Sequence, residues 1–210
     1  MILTSISEER GIEALEEDDL TVYSIGISTA GAAEMRMAEL HPKRYVTATT
    51  IDVEGAKFVR EQVDAKGLSK QIAVKIEDVS EPLPYEDNHF DFIYARLVLH
   101  YLPRTELTNA LGELYRVLKC GGRFYVVVRS TACRKEQPDP TSGLTSYSVS
   151  GESYRRHFHT EASIQKHLLA TGFEVAYVKS YEEHLYEDFY RSELSPSVDT
   201  IIETLCSKNH

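Results

Sequence analysis

The stretch "TVYSIGISTAG", Thr21 to Gly31, begins as a buried strand, breaks at Gly26, and then offers Ser28, Ala30 and Gly31 where a helix should start. Small residues at such a turn let the backbone approach a ligand, and the first turn of a helix presents unpaired N–H groups to an anion. The same residues also suit a tight turn with no ligand. Asp52 directly follows the β-branched run "VTATTI". An acid at the carboxyl end of a strand can accept both hydroxyls of a ribose, or it can serve as a helix-start residue favoured by the helix dipole. Asp78 and Val79 follow "QIAVKI" in the same way, an acceptor for an exocyclic amine beside an apolar surface for a ring. A fourth feature, "FDFIYARLVLHYLP" followed by "ELYRVLKCGGRFYVVV", opens a strand into a loop, a helix and a Gly-Gly turn.

The elements that carry these residues alternate. Ser5 and Glu8 have capping-box spacing and predict a short acidic helix within residues 1–19. Strands are predicted at Leu20–Ile25, at "YVTATTIDV", at "QIAVKI", at "FDFIYA" and at "RFYVVV". Between them Ala33, Met37 and Leu40, then Ala56, Val59 and Val63, then Leu107, Leu111, Leu114 and Leu118 recur at helical spacing. Gly121 and Gly122 are expected to stop the last of these helices. Strand and helix alternating from Leu20 to Arg129 imply βαβ units and a mostly parallel sheet. Residues 130–159 are rich in Ser, Thr, Pro and Gly and predict a long substrate-side loop or lid. Thr160 caps a helix that Gly172 ends, and "FEVAYVKSY" and "TIIETLCSK" predict two closing strands joined by a Tyr- and Glu-rich segment. The expectation is one domain over residues 1–210.

Composition narrows the function class. The net charge is −10, which argues against nucleic acid as main partner, because phosphate binding needs a basic field. The longest apolar stretch, "FIYARLVLHYL", is interrupted by Arg96 and His100 and is too short to span a bilayer. Cys120, Cys133 and Cys206 form neither a disulfide framework nor a zinc pattern, and read as reduced thiols in a cytoplasmic protein.

The order and spacing of the four features resemble the class I S-adenosylmethionine (SAM)-dependent methyltransferases, and most closely their small-molecule group, methyltransferase type 11. The similarity is carried by "EDVSEPLPYEDNHFDFIYARLVLHYLP" and "ELYRVLKCGGRFYVVV" and runs from about Leu20 to Arg129. It implies a Rossmann-like α/β three-layer sandwich, with a seven-stranded mostly parallel sheet of order 3-2-1-4-5-7-6 and an antiparallel last strand. It implies SAM as cofactor. Ser24, Gly26, Ile27 and Ser28 would face its methionine part, Asp52 with Val53 its ribose, Asp78 with Val79 its adenine, and Ala95 with Arg96 its methionine end.

The opening loop departs from the family pattern. Ser24 stands where the family carries Asp, and Ser28 and Ala30 stand where it carries glycines. A dinucleotide fingerprint of the form G-x-G-x-x-G is not met either, since the loop keeps only Gly26 and Gly31. Methyl transfer needs a general base only when the acceptor must lose a proton. The candidates are His100, Tyr154, His157 and His159, with Tyr101 beside the first, and no metal is expected. The pocket must be covered by residues 130–159, by the segment 181–190 with Tyr181, Tyr186 and Tyr190, or by the partner subunit of a homodimer. Two function classes follow: a methyltransferase acting on a small molecule, and a weak or inactive protein of the same fold that binds or regulates. The altered loop favours the second; Asp52, Asp78 and Gly121–Gly122 favour the first.

Overall fold

The computed structural model describes residues 5–27, 29–133, 144–149, 152–186 and 194–209. Helix α1 (Ile6–Glu13) precedes β1 (Thr21–Ile25), a 3-10 turn at Thr29–Gly31, α2 (Ala32–Glu39), β2 (Tyr45–Thr50), α3 (Val53–Ala65) and β3 (Ile72–Ile76). Then come β4 (Phe90–Arg96), a 3-10 turn at Leu99–Tyr101, α4 (Arg104–Val117), β5 (Leu118–Arg129), β6 (Leu144–Val149) and β7 (Glu152–His157). Helix α5 (Glu161–Thr171) and the long strands β8 (Phe173–Tyr186) and β9 (Leu194–Lys208) complete the order.

Seven strands form one sheet in the order β3-β2-β1-β4-β5-β9-β8. Numbered within that sheet alone, this is 3-2-1-4-5-7-6, as the resemblance implied. Strands β1 to β5 pair in parallel, and β9 runs antiparallel to both β5 and β8. One face carries a core in which Leu107, Leu111 and Leu114 of α4 meet Ile164 and Leu168 of α5 over Phe90, Ile93 and Phe124. The other face packs Ile12 of α1, Met35 and Met37 of α2, and Val59 and Val63 of α3 against Val22, Val46 and Phe92. The helical stripes read from the sequence are buried except for Leu40, which is 59% exposed just past α2, and Leu118 begins β5 rather than closing the α4 stripe; the result is a three-layer α/β sandwich.

Three expectations are corrected. Residues 144–149 and 152–157 are not loop but an antiparallel hairpin, β6–β7, separate from the main sheet. Its Ser- and Thr-rich composition disguised the alternation of a short strand. Helix α4 ends at Val117, before the glycines; Gly121 and Gly122 lie within β5, near the register shift opposite Phe90 and Phe92. A Cβ on Gly122 would stand 2.8 Å from the Lys119 carbonyl oxygen and 2.9 Å from that of Asp91, so only glycine fits there.

The third correction concerns Ser5. It is the N-cap of α1 but makes no side-chain cap. Its hydroxyl instead accepts from Arg96 Nη2 at 2.6 Å, while Arg96 Nε donates to Ser7 Oγ at 2.7 Å. Arg96, at the end of β4, also pairs with Glu183 of β8 at 3.3 Å, both side chains being almost fully buried. Glu183 in turn accepts from the Ser7 N–H at 2.9 Å and from its hydroxyl at 2.5 Å. Tyr125 Oη donates to the Ser7 carbonyl at 2.6 Å. Burial works against the charge on Arg96, but Tyr94, Glu183 and Glu8 more than offset it, and its pKa lies above the ordinary arginine value. Further along α1, Arg10 stacks on Tyr181 and reaches Glu203 of β9, which also accepts from Tyr177 and Tyr181. Tyr181 is thus a packing residue of the sheet. Tyr190 lies outside the described residues.

Removing one partner of a buried ion pair strands the other charge, which costs about 3–5 kcal/mol. Glu183→Gln should lower the free energy of urea unfolding by that amount, whereas Glu182→Gln, an exposed neighbour, should change it by no more than about 0.5 kcal/mol. Equal unfolding midpoints for the two variants would show that the Arg96 network does not anchor α1.

Candidate active site

The strand registers place the chemistry-bearing residues in one row. Ile25 of β1 is level with Thr49 of β2 and with Ala95 of β4, and Thr50 is level with Ile76 of β3. Gly26, Ile51 and Glu77 are therefore the first residues to leave the sheet at the carboxyl ends of β1, β2 and β3, with Asp52 and Asp78 each one step further. In a parallel sheet this edge is where crossover loops leave a crevice for ligands.

The β1 loop is built on left-handed backbone. Gly26 has φ 68°, Ala30 φ 59° and Gly31 φ 72°. A Cβ on Gly26 would come within 2.6 Å of Val98, and one on Gly31 within 2.5 Å of Val59. Gly31, one position late against the family pattern, thus supplies the freedom a family glycine would, while Ala30 bears a conformation costly for any residue with a Cβ. The Ile27 N–H donates to the Thr49 carbonyl at 2.9 Å and fixes the loop against β2. Ser28 lies outside the described residues. Ser24 is fully buried and donates to Glu34 Oε1 at 2.7 Å. The acid missing from β1 is thereby replaced in space by a buried carboxylate from α2, ten residues on. Sequence reasoning missed Glu34. The signal was a charged residue on the apolar side of a helix, next to Ala33 and Met37.

Asp52 is exposed and caps α3, its Oδ1 accepting from the Glu54 N–H at 3.1 Å. The helix-start role and a ligand role are compatible, because the second carboxylate oxygen makes no hydrogen bond among the described residues. Asp78 is exposed too, and its Oδ1 accepts from the Ser80 N–H at 2.9 Å and hydroxyl at 2.7 Å. Val79 is buried within the core beside Tyr23 and Leu83. The apolar surface at this edge is made instead by Ile51, Val53 and Ile76, which are 71%, 57% and 48% exposed. Ile51 and Ile76 were absent from the sequence-based set, since a β-branched run reads as core until its end is located.

On the far side of the row, Ala95 is fully buried and Arg96 points into the network with Ser5, Ser7 and Glu183. The Arg96 side chain is thus taken up by a buried ion pair. His100 is 1% exposed, and neither ring nitrogen has a hydrogen-bond partner among the described residues. Burial first, then Arg129 and Arg156, push its pKa well below the ordinary histidine value, so the ring is neutral. Tyr101 stays half-exposed and accepts from Arg156 Nη2 at 3.2 Å. His157 and His159 are near enough to act electrostatically on His100, and with His167 they line a cleft between α4 and α5. The Tyr154 side chain lies outside the described residues. Among the described residues no group of three His, Cys, Asp or Glu could hold a metal ion, and no helix is long and apolar enough to cross a membrane.

These residues suit a nucleoside carrying a charged amino-acid tail. Gly26 leaves no side chain between its backbone and a ligand, Asp52 offers a carboxylate oxygen to paired hydroxyls, and Ile51, Val53 and Ile76 give a flat apolar rim for a purine.

Comparison with known proteins agrees. A family model described as "Methyltransferase domain" matches residues 24–126. A ubiquinone/menaquinone biosynthesis C-methyltransferase UbiE from Allorhizobium ampelinum is 37% identical over 87 residues, covering 40% of this chain and 33% of that protein. A demethylmenaquinone methyltransferase from Bacteroides fragilis is 30% identical over 113 residues, covering 54% and 44%. The chain thus spans less than half the length of these relatives. Among solved structures, a SAM-dependent methyltransferase from Methanosarcina mazei superposes with a TM-score of 0.76 at 23% identity, over 94% of this chain and 95% of that one. The [4+2]-cyclase SpnF superposes with 0.70 at 17% identity, over 97% and 80%. Sequence match and strand order converge on one conclusion: residues 24–126 match the methyltransferase domain family, and the chain has the fold of the class I S-adenosylmethionine-dependent methyltransferases.

Proposed function

We propose that this chain, as a single domain over residues 1–210, transfers a methyl group from SAM to a small-molecule acceptor. The observation that carries this reading is the register that brings Gly26, Asp52 and Asp78 to one edge beside an exposed apolar rim. SAM supplies an electrophilic methyl on a sulfonium, open to in-line displacement. The chain's task is placement. Gly26 and Ile27 present backbone to the amino-acid tail, and Ser24, held by Glu34, lies beneath. Asp52 with Val53 holds the ribose. Asp78 accepts from the adenine amine, and Val79 backs the ring from inside the core.

The acceptor side lies toward β4 and β5, under the β6–β7 hairpin within residues 130–159. His100, kept neutral, is in the form that accepts a proton, and is the preferred candidate where the acceptor must lose one. Relatives named for quinone biosynthesis support a small, ring-bearing acceptor. The reading places the protein in the cytoplasm, as monomer or homodimer, without nucleic acid.

The second reading, a binding or regulatory protein, rests on Ala30 at φ 59° and on the substitutions at Ser24 and Ser28. Calorimetry with SAM and S-adenosylhomocysteine separates the two. Both ligands should release or take up heat at a single site; a folded protein that gives neither heat nor thermal shift with either would make the second reading correct.

Asp52 has its own test. Asp52→Ala should weaken SAM binding by about 1.5–3 kcal/mol, the value of hydrogen bonds to a charged group. Asp52→Asn keeps the helix cap, so it should bind weakly while unfolding at the wild-type temperature. Unchanged affinity in both variants would leave Asp52 as a cap alone.

A further inference from the structure

A cleft of about 500 Å³ opens between α4 and α5, on the layer opposite α2 and α3. Arg104, His157, His159, Lys166 and His167 line it, and among the described residues no acidic side chain does. Arg104 and Lys166 are exposed, so their charges are hydrated when the cleft is empty. His159 is 6% exposed, yet its Nε2 has no hydrogen-bond partner among the described residues. Its Nδ1 stands 3.5 Å from Ser163 Oγ in the first turn of α5. A buried ring nitrogen without a partner, at the wall of a cationic cleft, marks a place for an acceptor atom from outside the chain. The cofactor contacts assigned at the strand ends do not use these residues.

We propose that the α4–α5 cleft is a second ligand site, which takes a dianionic tetrahedral oxyanion such as a phosphate or sulfate group. Arg104 and Lys166 provide the fixed charge and His159 the inner contact. Burial, with neighbouring positive groups, lowers the pKa of all three histidines, that of His159 to about 4. A bound dianion reverses that preference and draws protons onto the rings, so binding tightens as pH falls. The other charged groups around the cleft do not cancel this. Glu106 of α4 is exposed near His157, Glu161 of α5 is bonded to Ser180, Arg155 and Arg156 of β7 add positive charge, and buried His100 stays neutral.

The test is a sulfate titration followed through the histidine ring resonances, with chloride holding ionic strength constant. Sulfate keeps its charge from about pH 8 to pH 6, so a pH effect on affinity reports the protein's groups. The His159 and His167 signals should move saturably, with tighter binding at the lower pH. Arg104→Gln and Lys166→Gln, both at exposed positions, should each weaken sulfate by about tenfold. Calorimetric SAM affinity should stay as in the unmodified protein, so a failure here is distinct from a failure at the strand ends. Signals that drift linearly, or saturable binding untouched by either variant, would overturn the site. Inorganic phosphate and a phosphate monoester, titrated in parallel, separate a free ion from a substituent of a larger ligand; binding of neither would limit the site to sulfate and overturn its phosphate assignment.

Discussion

A guanidinium removed from water must be matched or it unfolds what surrounds it. Arg96 is held at the end of β4 by a carboxylate from β8 and two hydroxyls from the start of α1. Three segments far apart in sequence thereby share one charge pair, and each is fixed only while the others are in place. The desolvation cost of the pair exceeds what a surface pair would return, so its effect is to specify position rather than to add stability. What it specifies is the seating of α1 against β4 and β8, at the carboxyl edge where a ligand would lie. Gly11 completes the seating, because any Cβ there would press into the rings of Tyr94 and Tyr125.

The β1 loop shows how a motif can be altered in sequence and retained in space. A family acid on β1 has become Ser24, and Glu34 brings a carboxylate to that hydroxyl from the next helix. A glycine has become Ala30, and the left-handed conformation persists with Gly31 behind it. Strain is tolerated there because Val59 and Val98 pack around the turn and leave few alternatives. The fold superposes on a methyltransferase and on a cyclase, so fold alone does not set the reaction.

Much of the architecture was legible because strands buried on both faces read as unbroken apolar runs and amphipathic helices impose a period of 3.6 residues. Val22 to Ile25, Val46 to Thr49 and Phe124 to Val128 could hardly be anything but strands, and α5 carried its own cap at Thr160 and stop at Gly172. The hairpin β6–β7 was illegible for the converse reason: polar strands outside the main sheet carry little apolar alternation. Ser5 misled because a hydroxyl with capping-box spacing can be claimed by a distant arginine, which no local rule registers. In the candidate site Asp52 and Asp78 were readable from their place after strands. Glu34, Ile51 and Ile76 were not, since each depends on which face or end of its element meets solvent.

The position of β9 between β5 and β8 has a consequence for how the chain acquires its shape. Strand β5 ends at Arg129, yet its neighbour on that side is supplied by residues 194–208. During synthesis the first five strands and their helices can assemble while one flank of β5 stays unpaired, with Phe124, Val126 and Val128 only partly covered. Pairings of such wide sequence separation form late, because loop closure must precede any return in contacts. The nascent chain therefore passes through a stage with an open apolar sheet edge, the condition under which newly made proteins stick to one another or are held by chaperones.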